Sequence, residues 1–481
     1  MIKPIRSFVF LAILLAVTVI LANAWPEGGI RIAKDVILKF PSPESLKLTS
    51  NEEKKEHSRK IKDLIEALQK SLADKDSTDQ TVEEEDGQLF NRQALRLQYA
   101  RTGAHPLEPF FRKLTDISSL SAPLHVMHFG DSQIEGDRMT GFIRRAFTKR
   151  FGGSGPGLLP AIEAVPSFAV EQSSSGKWNR FALFGGPKPN IGHFNFGPLQ
   201  NFARFESNGE NATASLFYRP HPKSAGVNRK YSVARLFLGN TLAPCTVEFI
   251  AWDTVLKHVE IPEGMAFKEL RVSLDSVPNP LEIRFTGAQS PDIYAVSLET
   301  GSGVIVDNIG MRGSSGTDFT RMGRAHLATV LNPFNLGLVI LQYGGNTVPH
   351  ITSDESAKQY GKWFGAQIKL IHDIVPDCGI VVIGPSDMST MIDGEMQTFP
   401  YLEKVRDALK EETIKAGAAY WDLYEIMGGK NSMPIWVNAD PPLAASDHIH
   451  FAPEGARTTA DLFVTYLLEE FDKFNRGQNA P

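Results

Sequence analysis

Two kinds of hydrophobic pattern share this chain, and the first of them predicts its main fold. Short runs of almost continuous apolar residues alternate with segments whose apolar residues recur at helical spacing. The apolar runs are LHVMHFG, GVIVDNIG, LGLVILQYGG, CGIVVIGPS and AYWDLYEI. Strands that are apolar along their whole length are buried on both faces, which is typical of a parallel sheet covered by helices on each side. The pattern therefore predicts an α/β domain.

The second pattern occupies residues 156–300. Here short runs of alternating apolar and polar residues are separated by turn residues, and no convincing helical spacing is found. Examples are ATASLFYRP, YSVARLFLG, CTVEFIAWD and LEIRFTGAQ. This pattern predicts a β-sandwich. Because the run LHVMHFG lies before it, we expect residues 106–155 and 301–481 to form one α/β domain that the sandwich interrupts.

The N-terminus has the pattern of an export signal. Lys3 and Arg6 precede an apolar run over residues 8–21, and Ala22 and Ala24 fit the small-residue cleavage pattern. The run is shorter than the roughly 20 apolar residues that span a bilayer, which favours a cleaved signal peptide at residues 1–24 over a membrane anchor. No cysteine follows the run, so no lipid anchor is expected there. We therefore predict an exported protein, either periplasmic or secreted.

A charged segment follows the signal, at residues 25–105. It is dense in charges of both signs, and Ile61, Leu64, Ile65 and Leu68 recur at helical spacing within it. We interpret this segment as an exposed helix that leads into a flexible acidic linker.

Composition excludes several partners and cofactors. A formal net charge of −5 over 481 residues provides no general attraction to nucleic acid. The two cysteines, Cys245 and Cys378, lie in different predicted units, so we expect two buried free thiols and no disulfide framework. Neither a His-Glu-x-x-His nor a Cys-x-x-Cys motif occurs. We therefore expect no metal and no other cofactor.

Polar residues collect where the predicted strands end. GDSQ follows the first strand, NIGMRGSSG the second and QYGGNT the third, while SDHIHF precedes the last helix. Ligand sites of open α/β sheets form at the carboxyl ends of the strands, so we expect these loops to meet at one rim. They contain a serine, a histidine that could remove its proton, an aspartate that could orient the histidine, and glycines and an asparagine that could stabilise an oxyanion. These are the groups that ester cleavage requires.

The order of these loops resembles the SGNH, or GDSL-type, hydrolase superfamily. In that family the serine follows Gly-Asp, a glycine lies on the second loop, Gly-x-Asn forms the third loop and Asp-x-x-His closes the domain. The resemblance implies a flavodoxin-like, three-layer domain. It also implies that Ser132 is the nucleophile, that His450 is the general base and that Asp447 orients it. The oxyanion hole would consist of the backbone N–H of Ser132, the N–H of Gly313 and the side chain of Asn346.

Three of these residues have alternative interpretations. Serine and aspartate favour the first position of a helix, so Ser132 could simply cap the helix that follows it. Gly310 competes with Gly313 for the role on the second loop. Asn346 could be a loop residue that tolerates an unusual backbone conformation.

The closing motif and its neighbours also leave alternatives. His448 is a second histidine in the motif, although the spacing of three from Asp447 favours His450. Family members commonly have leucine or histidine after the serine, where this chain has Gln133, and an acidic residue after the asparagine, where it has Thr347. Neither departure removes a catalytic group, but both loosen the assignment to a subfamily.

A β-sandwich between the first and second motifs is similar to the arrangement in peptidoglycan O-acetylesterases, where the module resembles a carbohydrate-binding domain. This similarity implies an acetylated glycan as the substrate and removal of acetyl groups from the 6-hydroxyl of muramoyl residues. Other exported members act on acetylated xylan or other polysaccharides, and some related proteins transfer acetyl groups to sugars. A lipase or thioesterase is a further possibility. The alternative from a different class is a non-catalytic polysaccharide-binding envelope protein that has kept the fold.

Overall fold

The computed structural model describes residues 95–184, 191–207, 209 and 211–478, together with residues 13, 16–18, 20, 21, 30–33, 36–38, 59 and 61–67. Contacts divide the chain into two compact units, residues 1–60 and 61–481. In the first unit, strand β1 (Ile30–Ala33) pairs antiparallel with β2 (Val36–Leu38). Most of the predicted signal peptide lies outside the described residues. No helix within the described part of the chain is long and apolar enough to cross a membrane.

The second unit opens its α/β domain with a helix, a strand and a helix, namely α1 (Glu108–Thr115), β3 (Leu124–Gly130) and α2 (Thr140–Phe151). Every residue of β3 is buried, as its continuous apolar sequence predicts. Helix α1 buries only one face, which carries Phe110, Phe111 and Leu114. A strand that is buried along its whole length, next to helices that bury only one face, is expected inside a sheet. The burial of β3 therefore fits a position inside the sheet.

The chain then forms an inserted β-sandwich, and all of its strand pairings are antiparallel. Its strands are β4 (Gly157–Leu159), β5 (Val170–Ser175), β6 (Trp178–Ala182), β7 (Asn201–Phe205), β8 (Ala212–Pro220), β9 (Val233–Gly239), β10 (Cys245–Ala251), β11 (Thr254–Ile261), β12 (Phe267–Ser273), β13 (Leu281–Gly287) and β14 (Asp292–Glu299). One sheet has the order β11-β10-β13-β8-β5. The other has the order β12-β9-β14-β7-β6, with β4 paired to β14.

Burial along the sandwich strands shows which sheet faces the α/β domain. Residues of β10 and β13 alternate between buried and partly exposed, as expected for a sheet with one face in solvent. Every residue of β9 and β14 is buried. The ring of Phe237, on β9, lies 5.0 Å from the ring of Phe334 in the α/β domain. The second sheet is therefore covered on its outer face by the α/β domain.

After the sandwich the α/β domain resumes. Its remaining elements are β15 (Val304–Gly310), α3 (Arg324–Leu331), β16 (Asn335–Gln342), α4 (Asp354–Ile374), β17 (Gly379–Ile383), β18 (Ser389–Ile392), β19 (Glu395–Thr398), α5 (Leu402–Lys415), β20 (Ala419–Trp421), α6 (Leu423–Met427), α7 (Met433–Val437) and α8 (Pro453–Gln478). The five-stranded sheet has the order β15-β3-β16-β17-β20, and every pairing in it is parallel. The strand order reverses between β3 and β16, which is where ligands bind in open α/β sheets. The predicted α/β fold with an inserted sandwich is confirmed.

The glycine-rich sequence GGSGPG lies where the chain leaves the α/β domain. A Cβ atom on Gly153 would overlap the backbone of Val304, and one on Gly155 would overlap the backbone of Leu298. Both glycines have positive φ angles, 84° and 108°. The outgoing and returning segments therefore run so close together that only glycine fits between them.

The charged N-terminal segment is packed more tightly than we expected. Residues 61–67 are helical, as predicted. However, Ile61, Leu64 and Ile65 are all less than 10% exposed and belong to the core that also contains Trp421. The prediction of an exposed helix therefore holds for its polar face, where Lys62, Asp63 and Glu66 are exposed, and is wrong for its apolar face, which packs into the core of the α/β domain. The acidic linker predicted after this helix lies outside the described residues.

Candidate active site

Ser132 lies in the turn that follows β3, at the carboxyl end of the parallel sheet. The Asp131 carboxylate stabilises this turn by accepting the backbone N–H of Gln133 at 2.9 Å. Helix α2 begins only at Thr140, with Met139 in its N-cap position. The alternative in which Ser132 caps that helix is therefore wrong.

The Ser132 hydroxyl faces an imidazole from the far end of the sequence. Its Oγ lies 2.8 Å from Nε2 of His450, and Nδ1 of the same ring lies 2.7 Å from Oδ2 of Asp447. A general base needs the tautomer in which Nδ1–H donates to the carboxylate and Nε2 accepts the hydroxyl proton, and these distances suit it. The structure thus joins the three predicted catalytic side chains in one chain of hydrogen bonds.

A tight turn holds the acid and the base in register. Oδ1 of Asp447 accepts the backbone N–H groups of Ile449 and His450, both at 3.0 Å. Burial acts to raise the pKa of Asp447, but the hydrogen bonds from His450 and from the backbone outweigh it, so the pKa lies below its ordinary value. The carboxylate is therefore ionised at neutral pH and can stabilise the imidazolium ion formed during proton transfer.

His448 supports the loop and does not contact the serine. Its backbone has a positive φ of 58°, and its N–H donates to the Ala445 carbonyl at 3.1 Å. Its carbonyl accepts the N–H of Ser389 at 3.0 Å. Its Nδ1 is buried without a hydrogen-bond partner. The geometry thus agrees with the preference for His450 over His448 as the base.

Asn346 connects the turn after β16 to two other loops of the rim. Its Nδ2 donates to Oδ2 of Asp131 at 3.0 Å and to the Ser314 carbonyl at 3.2 Å. Because both partners only accept hydrogen bonds, the amide nitrogen and not the amide oxygen must face them. Both amide hydrogens are therefore engaged, and Asn346 has to release one of these bonds before it can donate to an oxyanion.

The hydrogen bond from Asn346 to the Ser314 carbonyl helps to distinguish the two candidate glycines of the second loop. Gly313 directly precedes Ser314, whose carbonyl Asn346 holds, and its φ of 80° favours glycine. Gly310 ends strand β15, and a Cβ atom there would lie 3.0 Å from the backbone of Glu135. Gly310 thus packs against a neighbouring turn, whereas Gly313 lies beside the asparagine. Neither glycine lines the catalytic cleft, so the choice of Gly313 as the backbone donor stays a prediction.

Asp131 is a buried acid that directly precedes Ser132 in the chain. Burial raises its pKa to about 6, although the Gln133 N–H, the charge of His450 and the Asn346 amide each lower it in part. At neutral pH the Asp131 carboxylate is therefore mostly ionised.

Gln133 is a site residue that the sequence motif does not reveal. Its Nε2 donates to the Ile449 carbonyl at 2.6 Å, and its Oε1 accepts the backbone N–H of Phe451 at 3.2 Å. These two residues flank His450, so a single amide holds the backbone on both sides of the base. The residue after the nucleophile thereby controls the position of the base relative to Ser132. Its polar character was the only signal in the sequence.

Replacing Gln133 with leucine should therefore slow the reaction, because His450 is no longer held in position against Ser132. The leucine leaves the Ile449 carbonyl and the Phe451 N–H without their partner and frees the loop that carries His450. A displacement of about 1 Å at a catalytic group can cost about 100-fold in rate. We expect kcat for a chromogenic acetate ester to fall about 10- to 100-fold, with a smaller change in KM.

Gln367 offers a matched control for this substitution. It is also a buried glutamine whose amide holds backbone groups, the Thr320 N–H at 3.0 Å and the Trp363 carbonyl at 3.1 Å, but it does not line the cleft. Gln367→Leu should lower the free energy of unfolding by about 1–3 kcal/mol and leave kcat unchanged. Equal kcat values for the two variants would contradict the positioning role of Gln133.

A cleft of about 240 Å³ opens beside the triad. Ser132, His450 and Asn346 line it on one side. Its other walls include Pro349, His350, Pro385, Ser386, Met388 and Ile449. The serine hydroxyl is therefore accessible to a small substrate group.

His128 belongs to the core and not to this cleft. It is fully buried, with Nε2 3.0 Å from Oε1 of Gln342 and Nδ1 3.0 Å from Oγ1 of Thr140. Burial lowers its pKa to about 3, so the ring is neutral. The expectation that this histidine packs beside the strand is confirmed.

Two further observations concern metals and thiols. In the part of the chain that the structure describes, no group of three His, Cys, Asp or Glu side chains is arranged to hold a metal ion. Cys245 and Cys378 are both free and buried, as expected. Burial raises the pKa of Cys245 to about 11 and that of Cys378 to about 12, so neither thiol is a reactive nucleophile at neutral pH.

Comparison with known proteins shows a similarity of fold to one solved structure. No protein-family model matches the sequence, and no curated protein matches it significantly. A solved structure described as a peptidoglycan O-acetylesterase in action aligns with a TM-score of 0.61 and 20% sequence identity, over 77% of this chain and 98% of that one. This share of the chain exceeds what the α/β domain alone provides, so the alignment extends into the sandwich.

Two other structures align less well. A GDSL-like lipase from Parabacteroides merdae aligns with a TM-score of 0.25 and 15% identity, over 34% of this chain and 72% of that one. A salicylyl-acyltransferase from a tetracycline biosynthetic pathway aligns with a TM-score of 0.28 and 11% identity, over 66% of this chain and 97% of that one. Strand order, the inserted sandwich and the alignment with the peptidoglycan O-acetylesterase together show that this chain has the SGNH-hydrolase fold.

Proposed function

We propose that this protein is an exported serine esterase that removes O-acetyl groups from peptidoglycan. The observation that carries the proposal is the continuous hydrogen-bonded chain from Ser132 through His450 to Asp447, which opens onto a cleft at the carboxyl edge of the sheet. A serine hydroxyl becomes a nucleophile when an oriented imidazole can take its proton. This arrangement supports acyl transfer over a purely structural role for the site.

The reaction would proceed through an acetyl-enzyme. Ser132 Oγ attacks the acetyl carbonyl while its proton moves to Nε2 of His450, and the resulting oxyanion is stabilised by N–H donors of the rim. When the intermediate collapses, the bond between the acyl carbon and the sugar oxygen breaks, and His450 gives its proton to that oxygen. A water molecule then attacks the acetyl-serine with His450 again as the base, which releases acetate and restores the hydroxyl.

The size of the cleft supports a small acyl group. Its volume of about 240 Å³ lies below the range of about 300–1,000 Å³ that is usual for pockets of drug-sized ligands. An acetyl group and part of a sugar ring fit such a space, whereas a long acyl chain would need an extended channel. This observation favours an acetylesterase over a lipase.

The choice of peptidoglycan is supported by the structural similarity to a peptidoglycan O-acetylesterase that includes the sandwich. The N-terminal signal pattern is consistent with a substrate outside the cytoplasm. Acetylated xylan is the second candidate, and transfer of the acetyl group to another sugar is a second possible outcome of the same acyl-enzyme. These alternatives share the triad and differ in the partner that the site accepts.

Acetate release from three substrates tests the proposal. Wild-type protein and Ser132→Ala are incubated with a chromogenic acetate ester, O-acetylated peptidoglycan and acetylated xylan, and free acetate and acetylated sugar products are measured. We expect the wild type to release acetate from the chromogenic ester and from peptidoglycan, and Ser132→Ala to release none above background.

Each other outcome points to a different correction. Release from xylan but not from peptidoglycan would retain the mechanism and overturn the substrate. Acetylated sugar in place of free acetate would make the protein a transferase. No cleavage of any substrate, combined with binding of the glycan, would favour the non-catalytic polysaccharide-binding protein.

A further inference from the structure

The sandwich is attached rigidly beside the active site. The backbone N–H of Phe168, just before β5, donates to the Gly136 carbonyl at 3.1 Å, in the turn that follows the nucleophile. Arg321 of the α/β domain donates to the Leu183 carbonyl of the sandwich at 3.0 Å. Such contacts fix the orientation of the sandwich, so its residues can form part of one binding site together with the rim of the sheet.

A second cleft lies at the junction of the sandwich and the α/β domain. Its walls include Glu135 and Gly136 from the turn after Ser132, and Glu163, Gln172 and Arg180 from the sandwich. The enclosed part measures about 80 Å³, which admits a substituent of a sugar but not a whole ring. The cleft therefore lies a few residues along the chain from the nucleophile but is separate from the catalytic cleft.

Some charges in this second cleft are already paired. Glu135 accepts two hydrogen bonds from Arg312, at 2.9 and 2.5 Å. Asp137 accepts two from Arg144, at 2.6 and 2.9 Å. The charged side chains that remain in the lining are Glu163 and Arg180, one of each sign, so the cleft has no strong net charge and does not favour a highly charged ligand.

Two polar atoms in this cleft are buried without partners. The Nε of Arg180 is a donor with no acceptor, and the Oε1 of Gln172 is an acceptor with no donor. The Nε2 of Gln172 donates to the Pro160 carbonyl at 2.8 Å, which fixes the orientation of this amide. Buried polar atoms are rarely left unpaired in proteins, because each one has lost its hydrogen bonds to water without gaining another. A ligand that accepts one hydrogen bond and donates another would satisfy both atoms.

An exposed aromatic residue, Phe168, lies between two residues that line this cleft, Ser167 and Ala169, and next to a third, Gly136. The side chain of Phe168 is 65% exposed, and a Cβ atom on Gly136 would lie 3.9 Å from its ring. A large apolar side chain this exposed, next to unpaired polar atoms, is a common feature of binding sites. The apolar C–H face of a pyranose ring could pack against it.

We propose that this junction cleft is a sugar subsite that recognises the N-acetyl group of a neighbouring amino sugar in the glycan chain. The acetamido carbonyl accepts from Arg180, the acetamido N–H donates to Gln172, and the sugar ring packs on Phe168. The subsite rests on the proposed function and gives its substrate class a physical cause, since peptidoglycan sugars carry acetamido groups and xylose does not.

Binding in the absence of turnover tests the subsite directly. Soluble N-acetylglucosamine oligomers and xylose oligomers are titrated into Ser132→Ala protein by calorimetry. We expect the N-acetylglucosamine oligomers to bind measurably and the xylose oligomers to bind at least about tenfold more weakly, which is the loss expected for one hydrogen bond. Equal binding of both oligomers, or none of either, would overturn the subsite whether or not the protein is an esterase.

Variants of the sandwich provide the second test. Phe168→Ala and Arg180→Lys should each raise KM for O-acetylated peptidoglycan about tenfold and leave kcat/KM for a chromogenic acetate ester unchanged. Phe168 is exposed, so its replacement should not affect folding, and Arg180→Lys keeps the charge but loses Nε. Unchanged KM in both variants, with the chromogenic ester still cleaved, would refute the subsite and leave the esterase proposal intact.

Trp252 is the matched control for the aromatic variant. It is also a half-exposed ring of the sandwich, in the turn between β10 and β11 at the opposite edge of the sheet that contains β5. Trp252→Ala should leave both substrates unaffected. A rise in KM for peptidoglycan that is equal in Trp252→Ala and Phe168→Ala would contradict the assignment of the subsite to the junction cleft.

Discussion

Replacing Ser132 with alanine should lower kcat for a chromogenic acetate ester by on the order of 10⁴-fold or more. The Ser132 hydroxyl oxygen lies 2.8 Å from Nε2 of His450 and would form the acyl-enzyme in the proposed mechanism, and alanine removes it. The protein should remain folded, because the substitution removes one atom from a side chain at the edge of a cleft.

Substitutions of His450 and Asp447 should also lower kcat, and the two losses should differ in size. His450→Ala should cost about as much as the loss of the serine, because the two groups act as a unit. Asp447→Asn should cost less, on the order of 10²- to 10⁴-fold, because the Asp447 side chain is 48% exposed and water can partly replace it. Measurement of kcat for all three variants with one acetate ester tests this order.

Ser353→Ala serves as the control for the triad series. Ser353 is an exposed serine whose side chain caps helix α4, away from the cleft. Its replacement should cost about 1 kcal/mol of stability and no activity. If Ser132→Ala retained a rate similar to that of Ser353→Ala, Ser132 could not be the nucleophile.

Replacing Asp307 with alanine should lower the free energy of unfolding by about 3–5 kcal/mol, the largest effect on stability that we expect. Asp307 is fully buried; its Oδ2 lies 2.8 Å from Nδ1 of His125, and its Oδ1 accepts the Leu158 N–H at 2.8 Å. These groups lie where the chain leaves and re-enters the α/β domain. The alanine would leave a buried histidine and a buried N–H without their partner.

The loss of unfolding free energy caused by Asp307→Ala should depend on pH. Burial acts to lower the pKa of His125, but Asp307 and Glu299 outweigh it, so the pKa is raised above its ordinary value. A group with a raised pKa in the folded state stabilises the fold at low pH, and this contribution is lost as the pH rises through the folded-state value. The effect of Asp307→Ala should therefore be largest at or below about pH 6 and smaller near pH 9.

Urea unfolding of the wild type and variant at both pH values measures the effect. Asp373→Ala is the control, because Asp373 pairs with Arg324 at 2.7 Å and both side chains are more than half exposed. Its loss should cost at most about 1 kcal/mol. If Asp307→Ala does not fold, Asp307→Asn, which keeps one acceptor for the Leu158 N–H, should show the same pH trend. Equal losses of unfolding free energy in Asp307→Ala and Asp373→Ala would contradict the structural role of the buried pair.

Much of the fold could be predicted from the sequence, because its signals are local. Continuous apolar runs identified four strands of the parallel sheet, and alternating runs identified the sandwich. The prediction for AYWDLYEI was only partly right, because Ala419–Trp421 is a strand whereas Leu423–Met427 is a helix. The Asp-x-x-His spacing placed Asp447 and His450 on one turn, and the structure has that turn. Each of these patterns depends on residues within about ten positions of one another.

Predictions that depended on distant contacts were less successful. Local spacing could not show that Ile61 and its helix are buried, because their partners come from the other end of the sequence. Helix preference alone could not exclude Ser132 as a cap, since the start of α2 at Thr140 depends on the intervening turn. In both cases the local structure depended on contacts with parts of the chain outside the local sequence pattern.

The sequence by itself thus determined most strands of the parallel sheet, the inserted sandwich and the chemical types available to the site, but not the hairpin of β18 and β19 or the short helices α6 and α7. Only the tertiary structure decided that Gln133 holds the backbone on both sides of His450, that Asn346 is engaged with Asp131, and that the sandwich and the rim share a cleft. The physical reason is the separation in sequence over which each kind of interaction acts. Periodicity and turn preferences act between neighbours in the chain, whereas these contacts join loops that are separated by up to 318 residues and meet only when the sheet assembles.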